Sequence, residues 1–382
     1  MADSRASIAS LSLKDFRNFE RLELELPSAG LVLVGENGQG KTNLLESAYY
    51  LSLLRSMRGT RDVDVARFGA PGFFVEADFC APSSPAGSSA DAHRLSIGFE
   101  RAGRRKRVRR DGAVLDRLSD AFGALPAVMF SPADVDIVAG AASARRRSLD
   151  IMLALSSRGY LHALQQYRGA LERRNAALRD AARNGGGGAA TSAIEVWEPT
   201  LAEQGARLVR ARRAWVKQVA DRFAERCAAA GEQGASAVRY ETTVEPNAES
   251  VELALAQSLA ARRHSDLRYG LTQAGPHRDD LTLLLNGREL RMFGSAGQQR
   301  TAAIALRTLE AETLRDAHGA SPVFLLDDPF AELDARRATR VLALLREVGI
   351  GQILLAVPRD SDIPVELTDL PRYRVAAGSV SR

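Results

Sequence analysis

The sequence predicts an α/β fold in which one domain is assembled from both ends of the chain and a mostly helical domain is inserted between them. Three observations carry this. Leu31-Val32-Leu33-Val34, an apolar run of buried-strand type, leads into Gly35-Glu36-Asn37-Gly38-Gln39-Gly40-Lys41-Thr42 and then into a helical stretch. A second apolar strand, Val323–Leu326, ends in Asp327-Asp328 near the opposite terminus. Most of the chain lies between them, and its middle is rich in Ala, Leu and Arg at helical spacing.

In chain order, residues 7–26 alternate apolar and polar, with Ile8, Leu11 and Leu13, then Leu22, Leu24 and Leu26. Period two predicts two strands joined by a turn at Phe16-Arg17-Asn18. Phe73–Phe79, Arg94–Glu100 and Lys106–Arg109 read as further strands, and Pro82–Ala90 as a Pro-, Ser-, Gly- and Ala-rich loop. The character changes after Ser131-Pro132. Ala141–Asp180 reads as helix, Gly185–Gly188 as a turn, and Ile194–Ala230 as a second helical arm with Trp197, Leu201, Leu208 and Trp215 on one stripe. Each arm is at most ~37 residues, or ~55 Å of helix, too short for a long coiled-coil arm. Val238–Val244 and Leu281–Leu285 return to strand character. Gly297–Ala317 reads as helix, Val323–Leu326 as strand, Arg336–Val348 as helix and Gln352–Ala356 as strand. At roughly 100–200 residues per domain, the expected organisation is 1–130 and 266–382 as the two parts of one domain, with 131–265 inserted.

Composition bounds the function classes. Apolar residues make up 45% of 382, enough for large cores, and the net charge of +5 is compatible with a polyanionic partner. Cys80 and Cys227 lie far apart in no metal spacing, which excludes a disulfide scaffold and points to a reducing cytoplasm. The five histidines form no ligand pattern. The N-terminus has no signal-peptide pattern and no run reaches the ~18 apolar residues of a membrane span. A soluble cytoplasmic protein without a membrane partner is expected.

The glycine loop follows a strand and opens a helix, the context a phosphate-binding loop requires. Its N–H groups would wrap the phosphates of ATP, aided by the helix N-terminus. Lys41 would reach the β- and γ-phosphates, and Thr42 with Asp327 would hold Mg²⁺. Asp328 follows where a carboxylate can orient the attacking water. Ser295-Ala296-Gly297-Gln298 precedes a helix and reads as a second anion site. One subunit needs one γ-phosphate cradle, so this one is expected to serve ATP held by a second copy. ATP would then bridge a homodimer, with Ser295 facing Lys41 across it.

The Ser-x-Gly-Gln segment, the Asp-Asp strand end and Glu332-Leu333-Asp334 resemble the ABC-type ATPases of chromosome maintenance. Longer strings narrow the resemblance to the bacterial RecF family. These are Phe16-Arg17-Asn18, Gly35–Glu46, Arg61-Asp62 with Arg67-Phe68-Gly69, and Phe130-Ser131-Pro132. They continue with Gly140, Arg145-Arg146, Leu149-Asp150, Arg173-Arg174-Asn175, Gly275–Leu281 and Gly297–Arg300. The matches run in family order from about residue 8 to about residue 345.

The resemblance implies an ABC-type P-loop ATPase that binds gapped DNA and duplex junctions as an ATP-bridged dimer. It implies work with RecR- and RecO-type mediators and, indirectly, RecA loading, recombinational repair, replication and the SOS response. By position it assigns ATP binding to Gly35–Thr42, the catalytic carboxylates to Asp327 and Asp328, and the trans signature to Ser295, Gly297 and Gln298. It makes Glu332 and Asp334 the D-loop and places Arg17 and Asn18 beside the nucleotide. The last strand ends Ala356-Val357-Pro358, where related ATPases often carry a γ-phosphate-sensing His and RecF proteins more often Thr. Together with the short Asp328, this suits a slow, DNA-dependent ATPase used as a switch.

Residues 101–110 hold seven basic side chains, among them Arg104, Arg105, Lys106, Arg107, Arg109 and Arg110. Two readings stay open: phosphate contact with DNA, without interleaved aromatics for stacking, or a charge-protected hairpin edge. Arg145-Arg146-Arg147 and Arg210, Arg212 and Arg213 are further DNA candidates, although exposed helix arginines are more often solvated faces. His277 with Arg278 reads as a polar hinge in a Gly-Pro turn, near the nucleotide or an interface. The alternatives are a chromosome-organising ATPase head and an ABC transporter ATPase subunit.

Overall fold

The computed structural model describes residues 5–81, 91–184, 188–244, 250–330, 335–349 and 351–382. The chain opens with β1 (Ser7–Phe16), β2 (Phe19–Glu25), β3 (Gly30–Val34), α1 (Lys41–Leu53), α2 (Asp62–Val65), β4 (Gly72–Ala81) and β5 (Asp91–Glu100). Next come β6 (Arg105–Arg110), β7 (Ala113–Val114), β8 (Ala127–Phe130), α3 (Asp136–Ala139), α4 (Ala142–Ser156), α5 (Arg158–Asn184) and α6 (Gly188–Glu195). The middle continues with α7 (Glu198–Ala229), β9 (Ser236–Glu241), α8 (Val251–Tyr269), β10 (Asp280–Leu285), β11 (Arg288–Glu289) and α9 (Leu290–Phe293). The last elements are α10 (Ala296–His318), β12 (Val323–Asp327), α11 (Ala335–Glu347), β13 (Ile353–Val357), β14 (Arg372–Ala376) and β15 (Ser379–Ser381).

The chain divides into two compact units. The first comprises Met1–Val135, Glu225–Gln233 and Ala296–Arg382, the second Asp136–Ala224 and Gly234–Ser295. The first unit holds two six-stranded sheets. One is antiparallel, in the order β2-β1-β4-β5-β6-β7. The other runs β15-β14-β3-β13-β12-β8 and is parallel except for its edge hairpin β14–β15. Strands β3, β12 and β13 are buried along their whole length, as continuous apolar runs in a covered parallel sheet should be. Helix α1 contacts both sheets and is buried almost all round. Around it Phe16, Tyr50 and Phe73 meet edge to face, at centroid distances of 5.4 to 6.0 Å.

The second unit joins helices α4–α8 to the small sheet β11-β10-β9. Residues 266–295 belong here, so the division falls about thirty residues later than the expected boundary at 265. The reason is pairing: β10 runs antiparallel to β9 from Asp280↔Glu241 to Leu285↔Ser236, and Arg145 of α4 grips Asp280 at 2.7 Å. The end of α7, from Glu225, groups instead with the first unit, where Arg226 pairs with Glu312 at 2.8 Å and Glu347 at 2.7 Å.

Several local expectations are corrected. The second helical arm is not continuous from Ile194. It breaks at Val196-Trp197, because Pro199 has no N–H and is tolerated only in the first turn of a helix, which here is that of α7. Trp197 therefore stands just ahead of α7, its carbonyl accepting from the Leu201 N–H at 3.0 Å and the Arg173 guanidinium 5.1 Å from its ring centroid. Helix α8 and the hairpin β14–β15 carry no expectation above, although Ser250 caps α8 through the Leu253 N–H. The Pro82–Ala90 loop, most of the Gly185–Gly188 turn, and Glu332 and Asp334 lie outside the described residues.

Arg145 and Arg212, set among the DNA candidates, are buried ion-pair residues of the second unit. Arg212 donates to Asp150 at 2.6 Å, to the Tyr160 hydroxyl at 3.0 Å and to the Pro276 carbonyl at 2.7 Å. Its charge is consumed internally, as a buried guanidinium requires. His277 is likewise a clamp inside this unit and not a hinge. Its Nε2 donates to the Thr272 carbonyl at 2.9 Å, and Nδ1 accepts from the Tyr167 hydroxyl at 2.6 Å. Burial pushes its imidazole down to about 4, so the ring is neutral at pH 7.

Candidate nucleotide-binding site

The glycine loop leaves the C-terminal end of β3, and Asp327 closes β12 two strands away, with β13 between them. Both therefore emerge at the carboxyl ends of parallel strands, where open α/β sheets bind ligands. The Gly35 N–H meets the Val357 carbonyl at 3.4 Å and the Asp328 N–H meets the Ala356 carbonyl at 2.9 Å, so β13 holds both ends of the site.

Close backbone approach explains two of the loop glycines. A Cβ on Gly35 would lie 2.3 Å from the Val375 carbonyl oxygen. Gly40, at φ +120°, would drive a Cβ to 2.6 Å from the Asn18 amide. Gly40 also caps α1 without any side-chain hydrogen bond, so the first N–H groups of the helix have no side-chain cap to displace.

Lys41 is buried beside this loop. Its ammonium donates to the carbonyls of Gly35 at 2.5 Å and Glu36 at 2.9 Å. Burial lowers its pKa, opposed by the charges of Asp327 and Asp328. Thr42 Oγ1 lies 3.0 and 2.8 Å from the two carboxylate oxygens of Asp327. Burial raises the Asp327 carboxyl above its ordinary range, against the Thr42 hydrogen bond and the charge of Lys41. Asp328 is raised too, by burial first and then by the charge of Asp362. It adopts φ +46°, a left-handed conformation sparse for non-glycine residues and concentrated at functional sites.

A buried carboxylate facing a hydroxyl suits Mg²⁺. No cluster of three or more His, Cys, Asp or Glu that could hold a metal occurs among the described residues.

The Arg17-Asn18 turn divides its work. Asn18 donates to the Gln39 carbonyl of the loop at 2.9 Å and accepts from Asn43 at 2.8 Å. Arg17 turns to the fully buried Glu46, at 2.8 and 3.0 Å, and donates to Thr60 at 3.0 Å. Thus Asn18 touches the glycine loop, whereas Arg17 braces α1 behind it. Three further contacts escaped the sequence reading. Gln39 Oε1 accepts from the Ala377 N–H at 2.7 Å, and its carbonyl accepts from the Gly378 N–H at 3.1 Å, so the turn of the C-terminal hairpin latches the loop. Arg337 crowds Gly297, its Nη1 2.7 Å from where a Cβ would stand. Arg300 reaches the carbonyls of Asp328 and Pro329 at 3.5 Å. No spacing rule signals these, because each joins distant segments.

Ser295 is exposed just ahead of α10, with Gly297 and Gln298 half-buried in its first turn. Along β6, Arg105, Arg107 and Arg109 are exposed, and no hydrogen bond or ion pair engages their side chains among the described residues. Arg104, at the turn before them, is exposed, and its side chain is equally unengaged. Lys106 points to the other face and is not a free cation. It pairs with Asp62 at 2.6 Å, donates to the Leu54 carbonyl at 2.7 Å and lies 5.2 Å from the Tyr50 ring centroid. Arg110 is half-buried, 3.7 Å from Asp111. No helix among the described residues is long and apolar enough to cross a membrane.

This architecture has known relatives. The RecF/RecN/SMC N terminal domain family matches residues 7–360. A DNA replication and repair protein RecF from Geobacter sulfurreducens is 34% identical over 97% of this chain and 98% of its own length. The protein of that name from Frankia alni is 37% identical, over 98% and 99%. A solved structure described as the recombination mediator protein RecF-ATP in the RecFOR pathway superposes with a TM-score of 0.87 at 26% identity, covering all of this chain and 98% of the other. The Smc head domain of Pyrococcus furiosus shares the fold alone, with a TM-score of 0.56 at 16% identity over 98% and 95% of the two chains. On full-length similarity and a shared ABC-type ATPase fold, the chain belongs to the RecF family.

Proposed function

We propose that this chain is an ATP-gated DNA-binding protein of recombinational repair and replication, and that ATP bridges two copies of it. The observation that carries the reading is the meeting of Thr42 with Asp327 at the mouth of a glycine loop, the donor set a Mg²⁺–triphosphate needs. The relatives named for DNA replication and repair, and the neighbour described with ATP, support it.

In this reading the N–H groups of Gly38, Gly40 and Lys41 bind phosphate oxygens, and Lys41 moves its ammonium from loop carbonyls to the nucleotide. Thr42 and Asp327 hold Mg²⁺, which would neutralise charge developing on the phosphates. Asp328, its basicity raised by burial, orients the attacking water and accepts its proton. Ser295, exposed ahead of α10, contacts the ATP of a second copy, with Gly297 and Gln298. The sequence offers neither His nor Thr in Ala356-Val357-Pro358, which favours slow hydrolysis and a switch that releases DNA. Arg104, Arg105, Arg107 and Arg109 supply phosphate contacts, and RecR- and RecO-type mediators act as partners in the cytoplasm. A chromosome-organising head is disfavoured by helix length: the longest helices among the described residues, α5 and α7, span 27 and 32 residues.

The test is binding to a labelled gapped duplex at fixed salt, with and without ATP, for the parent and Lys41→Ala. Tighter binding with ATP that disappears in the variant supports the gate. Binding indifferent to both sinks it.

A further inference from the structure

Phe68 is fully exposed, at 100%, yet it sits on a turn held at both ends. The Arg67 N–H donates to the Asp15 carbonyl at 2.7 Å, and the Arg67 guanidinium binds the Asp15 carboxylate at 2.8 Å. The Ala70 N–H closes the turn on the Arg67 carbonyl at 3.0 Å, and Ala70 is buried. Gly69 takes the third position at φ +79°, as a type II turn demands. The stalk is fixed and only the ring projects. A large aromatic surface held in water is unfavourable unless something covers it.

The turn stands beside basic side chains. The turn lies at the end of the antiparallel sheet where β1 and β5 finish and β4 and β6 begin. Arg101 is anchored there, its N–H on the Pro71 carbonyl at 2.7 Å and its guanidinium on the Val63 carbonyl at 3.0 Å. Arg104 and Arg105 follow it, exposed, their side chains without a hydrogen bond or ion pair among the described residues. Residues 58–71 and 99–106 carry seven Arg or Lys, of which Arg58, Arg61, Arg67 and Lys106 pair with Glu46, Asp64, Asp15 and Asp62. A rigid aromatic face on the same sheet end as the two unpaired guanidinium groups of Arg104 and Arg105 is a combination that takes a stacked base with its flanking phosphates. A continuous duplex offers no free base face along its length, whereas the margin of a gap does.

We propose that Phe68 stacks on the unpaired base next to a duplex end, and that this contact gives the chain its preference for gapped DNA over continuous duplex. The proposal rests on the DNA-binding reading above. It is tested by fluorescence anisotropy on a gapped duplex, a continuous duplex and oligo(dT), with ATP, for the parent, Phe68→Ala and Phe68→Trp. A 2-aminopurine at the first unpaired position reports stacking. Phe68→Ala should weaken gapped and single-stranded binding about tenfold, leave continuous duplex nearly unchanged and abolish 2-aminopurine quenching. Phe68→Trp should restore all three. Because the ring touches nothing, the melting temperature should not move. An equal loss on every DNA, no loss on any, or a loss of ATP-dependent dimerisation in sedimentation with DNA selectivity intact overturns the proposal. Failure of the parent to bind any of the three DNAs overturns the DNA-binding reading itself.

Discussion

Thr42 and Asp327 meet within hydrogen-bond distance, 2.8 Å at the shorter contact, although 285 positions separate them in the chain. The pairing exists because β3 and β12 flank β13 in one parallel sheet, so the residues leaving their carboxyl ends share one crevice. It places a hydroxyl and a buried carboxylate where a cation would join them.

Asp327→Asn should separate metal binding from folding. Burial disfavours the Asp327 charge, so its removal should leave the nucleotide-free protein melting no lower than the parent. The additional thermal shift from Mg²⁺ over ATP alone should vanish. Scanning calorimetry with ATP, with and without Mg²⁺, checks this, and a Mg²⁺-dependent shift as large as the parent's would count against the Asp327 assignment.

The two faces of β6 should respond differently to substitution. Replacing Arg105, Arg107 and Arg109 by Ala should lower DNA affinity and reduce the slope of log K against log salt by about 0.9 for each phosphate no longer neutralised. Lys106→Ala should leave that slope unchanged and lower the melting temperature, since it removes the partner of Asp62 and the cation beside Tyr50. A salt slope unchanged by the triple substitution would assign phosphate binding to another surface.

Gly378→Ala should weaken ATP binding from the far end of the chain. Gly378 adopts φ +77°, and a Cβ there would approach the Asn18 carbonyl to 2.4 Å. The hairpin turn must shift, taking with it the two hydrogen bonds that latch Gln39. Affinity for ATP should fall several-fold in titration calorimetry while far-UV circular dichroism stays the same. Unaltered affinity would show that the loop needs no latch.

Acid should destabilise the second unit through His277. The folded value of about 4 lies below the ordinary 6.5, so between these limits the unfolded chain binds a proton that the native state refuses. Stability is full above pH 6.5 and falls as pH drops toward 4, by about 3 kcal/mol for this group alone. His277→Gln should flatten that part of the urea-denaturation profile. An unaltered slope in the variant would assign the acid sensitivity to other groups.

The local grammar of the chain was legible in its residues. Period-two alternation marks β1 and β2, continuous apolar runs mark β3 and β12, and the glycine loop stands between strand and helix where the residues placed it. These signals are short-range, set by backbone conformation and one-sided burial. The break ahead of Pro199 was passed over in the reading of one continuous arm, although a proline is tolerated only in the first turn of a helix.

Partnership was decided by tertiary structure. Nothing in the Arg-rich stretches distinguishes Arg212, sunk against Asp150, from Arg107, free in solvent, or Lys106 from its neighbours. Nor does spacing announce that Ala377 and Gly378 hold Gln39, or that Arg17 braces Glu46 while Asn18 alone reaches the loop. A charge finds its partner by where the sheets carry it. Burial then makes that choice costly to undo, because an unpaired buried charge is far less stable than a solvated one. The sequence by itself determined the glycine loop and the strand and helix that flank it, while the packing of α1 between two sheets decided which polar side chains meet at its mouth and which hold the others in place.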